Sequence, residues 1–179
     1  MANGGAPLVL VSNRGPVTYQ DDGSVKRGTG GLATALIGLA SHRDAVWIAS
    51  SMTEGDVQVA REHRGQAFEI AAPDGGEFRV RFVASDPEAY DRFYNIFANP
   101  MLWFIQHYLW DQSNAPDIRR HEVEAFEFGY NVVNEDLAVA VLEEIDGVER
   151  ECRRRLKSET RGPKSAGQAA ASANDDATP

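Results

Sequence analysis

Cysteine is almost missing: Cys152 is the only one in 179 residues. A single thiol excludes an internal disulfide and any cysteine-based zinc cluster. Long apolar runs are missing as well, and none approaches the roughly 18 residues that span a bilayer. The opening residues, Met1 to Pro7, have neither the basic nor the apolar part of a signal peptide. Together these absences make the cytoplasm the default compartment and leave no membrane partner. Basic charge is scarce in most of the chain: residues 1–149 carry 11 Lys and Arg against 23 Asp and Glu, while the last 30 carry 7 against 4. A body this acidic argues against nucleic acid, whose phosphates need a basic face. It does not exclude small phosphorylated ligands, because salt screens a distant field within about 8 Å and one well-placed arginine then decides the local potential.

What is present fits one α/β domain. Leu8-Val9-Leu10-Val11-Ser12 is an unbroken apolar run ending in a polar residue, as in a strand buried on both faces of a parallel sheet. Two weakly alternating arms around Asp22-Gly23, from Val17 to Lys26, read as a hairpin. Gly28-Thr29-Gly30-Gly31 then opens a helical pattern with Leu32, Leu36, Ile37, Leu39 and Ala40 on one face. Ala45 to Ala49 is the next strand, completing a βαβ unit. Further strands are expected at 67–71 and 78–84, separated by Pro73-Asp74-Gly75-Gly76. In the second of these, Arg79 and Arg81 alternate with Phe78, Val80 and Phe82, which predicts one wet face. Ser85-Asp86-Pro87-Glu88 is a helix start. The helix-rich region that follows to Ile145 should break near Asn99-Pro100 and again at Asn114 to Asp117. Its last part carries Val132, Val133, Leu137, Val141, Leu142 and Ile145 as an apolar stripe. The domain is therefore placed at 7–147. Residues 148–179 form a tail in which Glu149 to Thr160 is charged and can extend a helix. The stretch from Arg161 is too poor in large apolar residues to offset its ordering entropy, so it reads as disordered.

Three features could carry chemistry. Gly30-Gly31 at a helix start exposes backbone N–H groups to which a diphosphate or sugar can come close; taken alone, the feature reads better as a plain turn and helix start. It is not the dinucleotide pattern, since the glycine spacing fails and the loop lies about eighteen residues after the strand. Arg14 lies just past the end of the first strand, the edge where open α/β sheets bind ligands, and a guanidinium grips phosphate with two parallel hydrogen bonds. An ordinary surface arginine is the alternative. The stretch from Phe93 to Tyr108 is rich in aromatics with polar tips, which suits either a core stripe or a sugar pocket. His107 has only Asp111 beside it at i+4, and one pair does not make a metal site, so none is expected.

In combination these parts are more specific. Ser12-Asn13-Arg14, then Gly30-Gly31-Leu32, then Tyr94-Asn95 through Phe97, Asn99, Leu102 and Trp103 to His107-Tyr108, resemble the trehalose-6-phosphate synthase family over residues 7–145. The stretch Phe128, Tyr130, Val133-Asn134 adds to the resemblance. It implies the N-terminal, partial Rossmann-like domain of a GT-B glycosyltransferase. The family's activity is the retaining, metal-independent transfer of glucose from UDP-glucose, or a related nucleotide sugar, to glucose 6-phosphate, with no cofactor. By position, Arg14 and Tyr94 are implied to hold the acceptor phosphate, Trp103 to line the acceptor pocket, and Gly30 and Gly31 to face the donor.

Two departures stand out. Ala49-Ser50-Ser51 occupies the place where family members often carry a second tryptophan. The family's next strand and its donor-binding domain, where the catalytic residues lie, have no counterpart, so no catalytic residue is assigned and the chain reads as truncated. The alternative to an enzyme is a sugar-phosphate-binding or interaction module, self-associating or pairing with a full-length synthase. A nicotinamide-dependent oxidoreductase is disfavoured by the glycine spacing.

Overall fold

The computed structural model describes residues 8–28, 31–40, 43–71, 77–109, 113 and 116–159, and of 32, 148 and 151–159 the backbone alone. The chain divides into two units, Met1–Ile145 and Asp146–Pro179. The first is built on a four-stranded sheet in the order β1-β4-β6-β5. β1 (Leu8–Ser12), β4 (Ala45–Ser50) and β6 (Glu77–Val83) run parallel, and β5 (Phe68–Ala71) pairs antiparallel with β6. Register sets Ser12 beside Ala49 and Ser50 beside Val83, so the C-terminal ends of the three parallel strands form one edge. The short hairpin of β2 (Val17–Tyr19) and β3 (Val25–Arg27) turns at Gly23, whose φ of 79° is open to glycine at no steric cost.

The sheet is covered on both faces, which is why β4 is buried along its whole length. One cluster takes Trp47 and Ala49 with Phe78, Val80 and Phe82 against Ala33, Ile37 and Ala40 of helix α1 (Gly31–Ala40). The expected stripe on α1 is corrected here: the small residues Ala33 and Ala40 flank Ile37, and Leu39 is exposed. Helix α2 (Glu54–Glu62), absent from the sequence reading, also packs on this face through Ala60. Its start is legible in Thr53, whose hydroxyl accepts from the Asp56 amide at 3.0 Å. Asp56 is almost fully buried and accepts from the amides of Tyr19 (2.8 Å) and Met52 (3.0 Å), tying hairpin to helix.

The other face packs Val46 and Ile48 of β4 against Phe93, Val133, Leu137 and Ala140. Burying each aliphatic side chain of this kind contributes about 1.5–3 kcal/mol. Val133, Leu137 and Ala140 belong to α6 (Asn131–Glu159), where i, i+4, i+7 spacing forms the buried stripe; Leu142 and Ile145, expected in it, are exposed. α6 continues past residue 148, through the charged stretch to Glu159, while the low-complexity stretch 160–179 lies outside the described residues.

The expectation of a wet face on β6 is overturned by Arg81. Its guanidinium is buried under α6, donating to the Ala140 carbonyl at 3.3 Å and to Glu144 Oε1 at 3.1 Å, with Glu143 also paired. A charge so placed needs partners within reach, and helix α6 supplies them.

The expected break at Asn99-Pro100 is also corrected. Helix α3 (Pro87–Asp91), capped by Asp86 Oδ1 on the amides of Glu88 and Ala89, runs directly into a π-helical segment, Arg92–Leu102, and then α4 (Trp103–Gln106). Proline breaks an α-helix because it lacks a donor and its ring meets the carbonyl four residues back. A ladder closed i→i+5 relieves that collision, and Pro100 sits inside it. After α5 (Arg120–Ala125) a second π segment, Phe126–Tyr130, crosses the first. Gly129 makes that crossing possible: a Cβ there would lie 2.6 Å from both Arg92 Cβ and Phe93 N.

Candidate functional site

The polar site grows from the C-terminal edge of the parallel strands. Ser12, the last residue of β1, accepts from the indole Nε1 of buried Trp47 at 2.8 Å and donates to the Arg14 carbonyl at 2.6 Å. These bonds turn the chain sharply off the strand and leave the Arg14 side chain exposed above the sheet edge. Its Nη2 donates to the Tyr94 hydroxyl at 2.9 Å, across 80 residues of sequence. That hydrogen bond is the main reason the Arg14 pKa stands above its ordinary value. The pair thus offers a fixed positive charge and a hydroxyl side by side. This is what a phosphate monoester needs, since charge-assisted bonds to a guanidinium are the stronger kind.

A second pair stands behind the first. The Tyr90 hydroxyl donates to Asn13 Oδ1 at 3.2 Å, and the Tyr90 ring stacks on Tyr94 with centroids 6.1 Å apart and planes 10° apart. Burial raises the pKa of the Tyr90 phenol, with the Asn13 hydrogen bond opposing. Neither role was assigned from sequence. The signal available was the i, i+4 spacing of two tyrosines, which stacks side chains on one helix face.

Of the other candidates, Gly31 is the exposed first residue of α1, with open space where a Cβ would stand. Gly30 lies outside the described residues. Trp103 is 45% exposed, and its ring stacks on His107 at 4.3 Å, with Phe104 edge-on at 5.6 Å. The structure therefore joins Arg14 to Tyr94 directly, while the ring contacts of Trp103 among the described residues lie within its own helical run. The π-helical segment matters for their relation. Residues nine positions apart face opposite sides of an α-helix, whereas the wider i→i+5 turn brings them round towards the same side. At the end of β4, the hydroxyls of Ser50 and Ser51 are buried and have no hydrogen-bond partner among the described residues. No helix among those residues is long and apolar enough to cross a membrane.

Comparison with known proteins bears on this geometry. The model of glycosyltransferase family 20 matches residues 6–149. Over 110 residues the chain is 34% identical to UDP-forming alpha,alpha-trehalose-phosphate synthase 1 of Aspergillus niger, a match covering 58% of this chain and 19% of the relative. A second synthase of that fungus is 30% identical over 108 residues, covering 56% and 20%. Among solved structures, the one titled trehalose-6-phosphate from E. coli bound with UDP-2-fluoro glucose aligns with a TM-score of 0.47 and 23% identity, covering 76% of this chain and 25% of that one. The chain thus spans about a fifth of the length of the curated relatives it matches. The family match takes in β1, the Arg14 turn and the Tyr94 helix together, and the chain belongs to glycosyltransferase family 20.

Proposed function

We propose that this chain carries the acceptor side of a hexosyl-transfer site. In this reading Arg14 and Tyr94 hold the phosphate of glucose 6-phosphate, Trp103 lies along the sugar ring, and the helix start at Gly30-Gly31 faces a nucleotide-glucose donor such as UDP-glucose. The observation that carries it is the Arg14–Tyr94 hydrogen bond, which sets an exposed guanidinium and a hydroxyl side by side. Similarity to two UDP-forming trehalose-phosphate synthases supports the donor and the product.

Transfer itself asks for more. The departing nucleotide phosphate must be stabilised electrostatically and both substrates held in line. In this reading those groups lie outside the matched residues, which span about a fifth of the relatives' length. For this polypeptide we therefore propose binding of the phosphorylated acceptor with UDP-glucose turnover far below the usual range of about 1–1000 per second.

Isothermal titration tests the reading with glucose 6-phosphate, glucose and inorganic phosphate in turn. Glucose 6-phosphate should bind, glucose should not, and Arg14→Ala should weaken binding by about 100-fold, the worth of a charge-assisted pair near 3 kcal/mol. Equal affinity of wild type and Arg14→Ala would sink the assignment.

A further inference from the structure

The Arg14–Tyr94 pair has two halves that come from distant parts of the chain, one from the turn after β1 and one from the helical run after α3. One residue touches both halves. The Tyr90 ring lies parallel to Tyr94, and the Tyr90 hydroxyl is bonded to Asn13, the residue next to Arg14. Asn13 in turn sits between Ser12, anchored to buried Trp47, and Arg14, whose carbonyl Ser12 holds. A phenol in a half-buried helix position costs desolvation unless its hydroxyl is bonded, and the apolar packing of the Tyr90 ring against Phe93 requires no hydroxyl at all. The hydroxyl's bond to the arginine turn is what a phenylalanine would lack.

We infer that Tyr90 and Asn13 are positioning residues for the acceptor-phosphate pair: the Tyr90–Asn13 bond holds the Arg14 turn at a fixed distance from Tyr94, so the guanidinium is set before ligand arrives. This rests on the acceptor reading above but concerns different residues. A long, exposed arginine loses rotamer freedom when it binds, and a turn held from behind reduces that cost. The bond acts through Arg14, so its effect falls on the order of the guanidinium as well as on affinity.

The experiment uses the full 179-residue chain as wild type, Tyr90→Phe, Asn13→Ala and the double variant. The Arg14 Nε–Hε signal, assigned by its loss in Arg14→Lys, is followed by NMR without ligand, and glucose 6-phosphate is then titrated into each protein. Tyr90→Phe keeps the ring stack, so its melting temperature should fall by no more than the few degrees that one net hydrogen bond is worth. Its Arg14 signal should broaden and exchange faster with water, and affinity should fall about 5-fold, as expected for one net hydrogen bond. Asn13→Ala should do the same, and the double variant should be no worse than either single one, since all three remove one interaction. The inference is overturned if Tyr90→Phe leaves the Arg14 signal as in wild type, or if the two substitutions add. Should Tyr90→Phe fail to fold, Asn13→Ala tests the same bond from its other end. If wild type itself does not bind glucose 6-phosphate, the proposed function fails, while the unliganded Arg14 signal still decides the positioning role.

Discussion

Tyr94 and Trp103 belong to one continuous helical run, yet its two ends are held in different ways. The Tyr94 end is fastened to the sheet edge by Arg14 and, through its stacking partner Tyr90, by Asn13; a few ångströms away Phe93 is buried against Val46, Ile48 and Val133. At the Trp103 end the ring stacks on His107, whose Nδ1 lies 2.7 Å from the Trp103 carbonyl, so that contact stays within the helix. The run stops at exposed Tyr108, with φ at 55° in the left-handed region that glycine usually fills. The difference teaches how the proposed site divides its work. Charge recognition, which fails if a guanidinium wanders by an ångström, is built on the rigid sheet edge. In that proposal the aromatic surface at Trp103, along which a sugar ring slides, stands on the end whose ring contacts stay within the helix.

The comparison can be broken most severely at Gly129. Gly129→Ala places a methyl against Arg92 Cβ and the Phe93 backbone, and backbone cannot give way as a side-chain tip can. It should cost about 3 kcal/mol by chemical denaturation, the scale of an overpacked core, and weaken glucose 6-phosphate binding by displacing the helix that carries Tyr94. A Gly129→Ala protein as stable as wild type would show that the π-segment crossing is not the support of this end.

A gentler probe is alkali. The folded-state pKa values of Tyr90 and Tyr19 are raised, mainly by burial, so the fold favours the neutral phenols. Their contribution is complete below the ordinary phenol value near 10 and is lost as pH climbs through the raised folded values. Denaturant midpoints should therefore fall as the pH rises above about 10. In Tyr90→Phe the fall should shrink but not vanish, because Tyr19 remains on the opposite sheet face. An undiminished fall in that variant would mean the Tyr90 phenol ionises without cost to the fold.

The smallest stability effect is expected at the other end. Trp103→Ala removes a ring that is 45% exposed and should change unfolding free energy by only about 1 kcal/mol, while glucose 6-phosphate affinity drops about tenfold, the worth of a lost ring contact. A large loss of stability instead would assign Trp103 to the core and erase the contrast between the two ends.

Much of this architecture is legible in residue order. The apolar run at Leu8–Ser12, the Asp22-Gly23 turn and the Asp86-Pro87 helix start signal a strand, a turn and a cap locally. The expected burial of that strand on both faces is corrected: β1 is an edge strand of the described sheet and Val11 is exposed, because burial depends on a neighbouring strand that residue order does not supply. Arg14 and Tyr94 could each be singled out from their motif. What periodicity could not supply was the partner of Arg81, since a charge facing α6 and a charge facing water read alike along a strand. Nor could it supply the wide turn that carries Pro100 through a helix, because i→i+5 closure was expected to be a break until the Gly129 crossing fixed it from outside. The chain on its own determined which residues are candidates for phosphate binding and on which elements they lie. Only the tertiary structure decided that Arg14 meets Tyr94 across 80 residues and that Tyr90 reaches both halves, because a hydrogen bond depends on ångströms in space and not on distance along the chain.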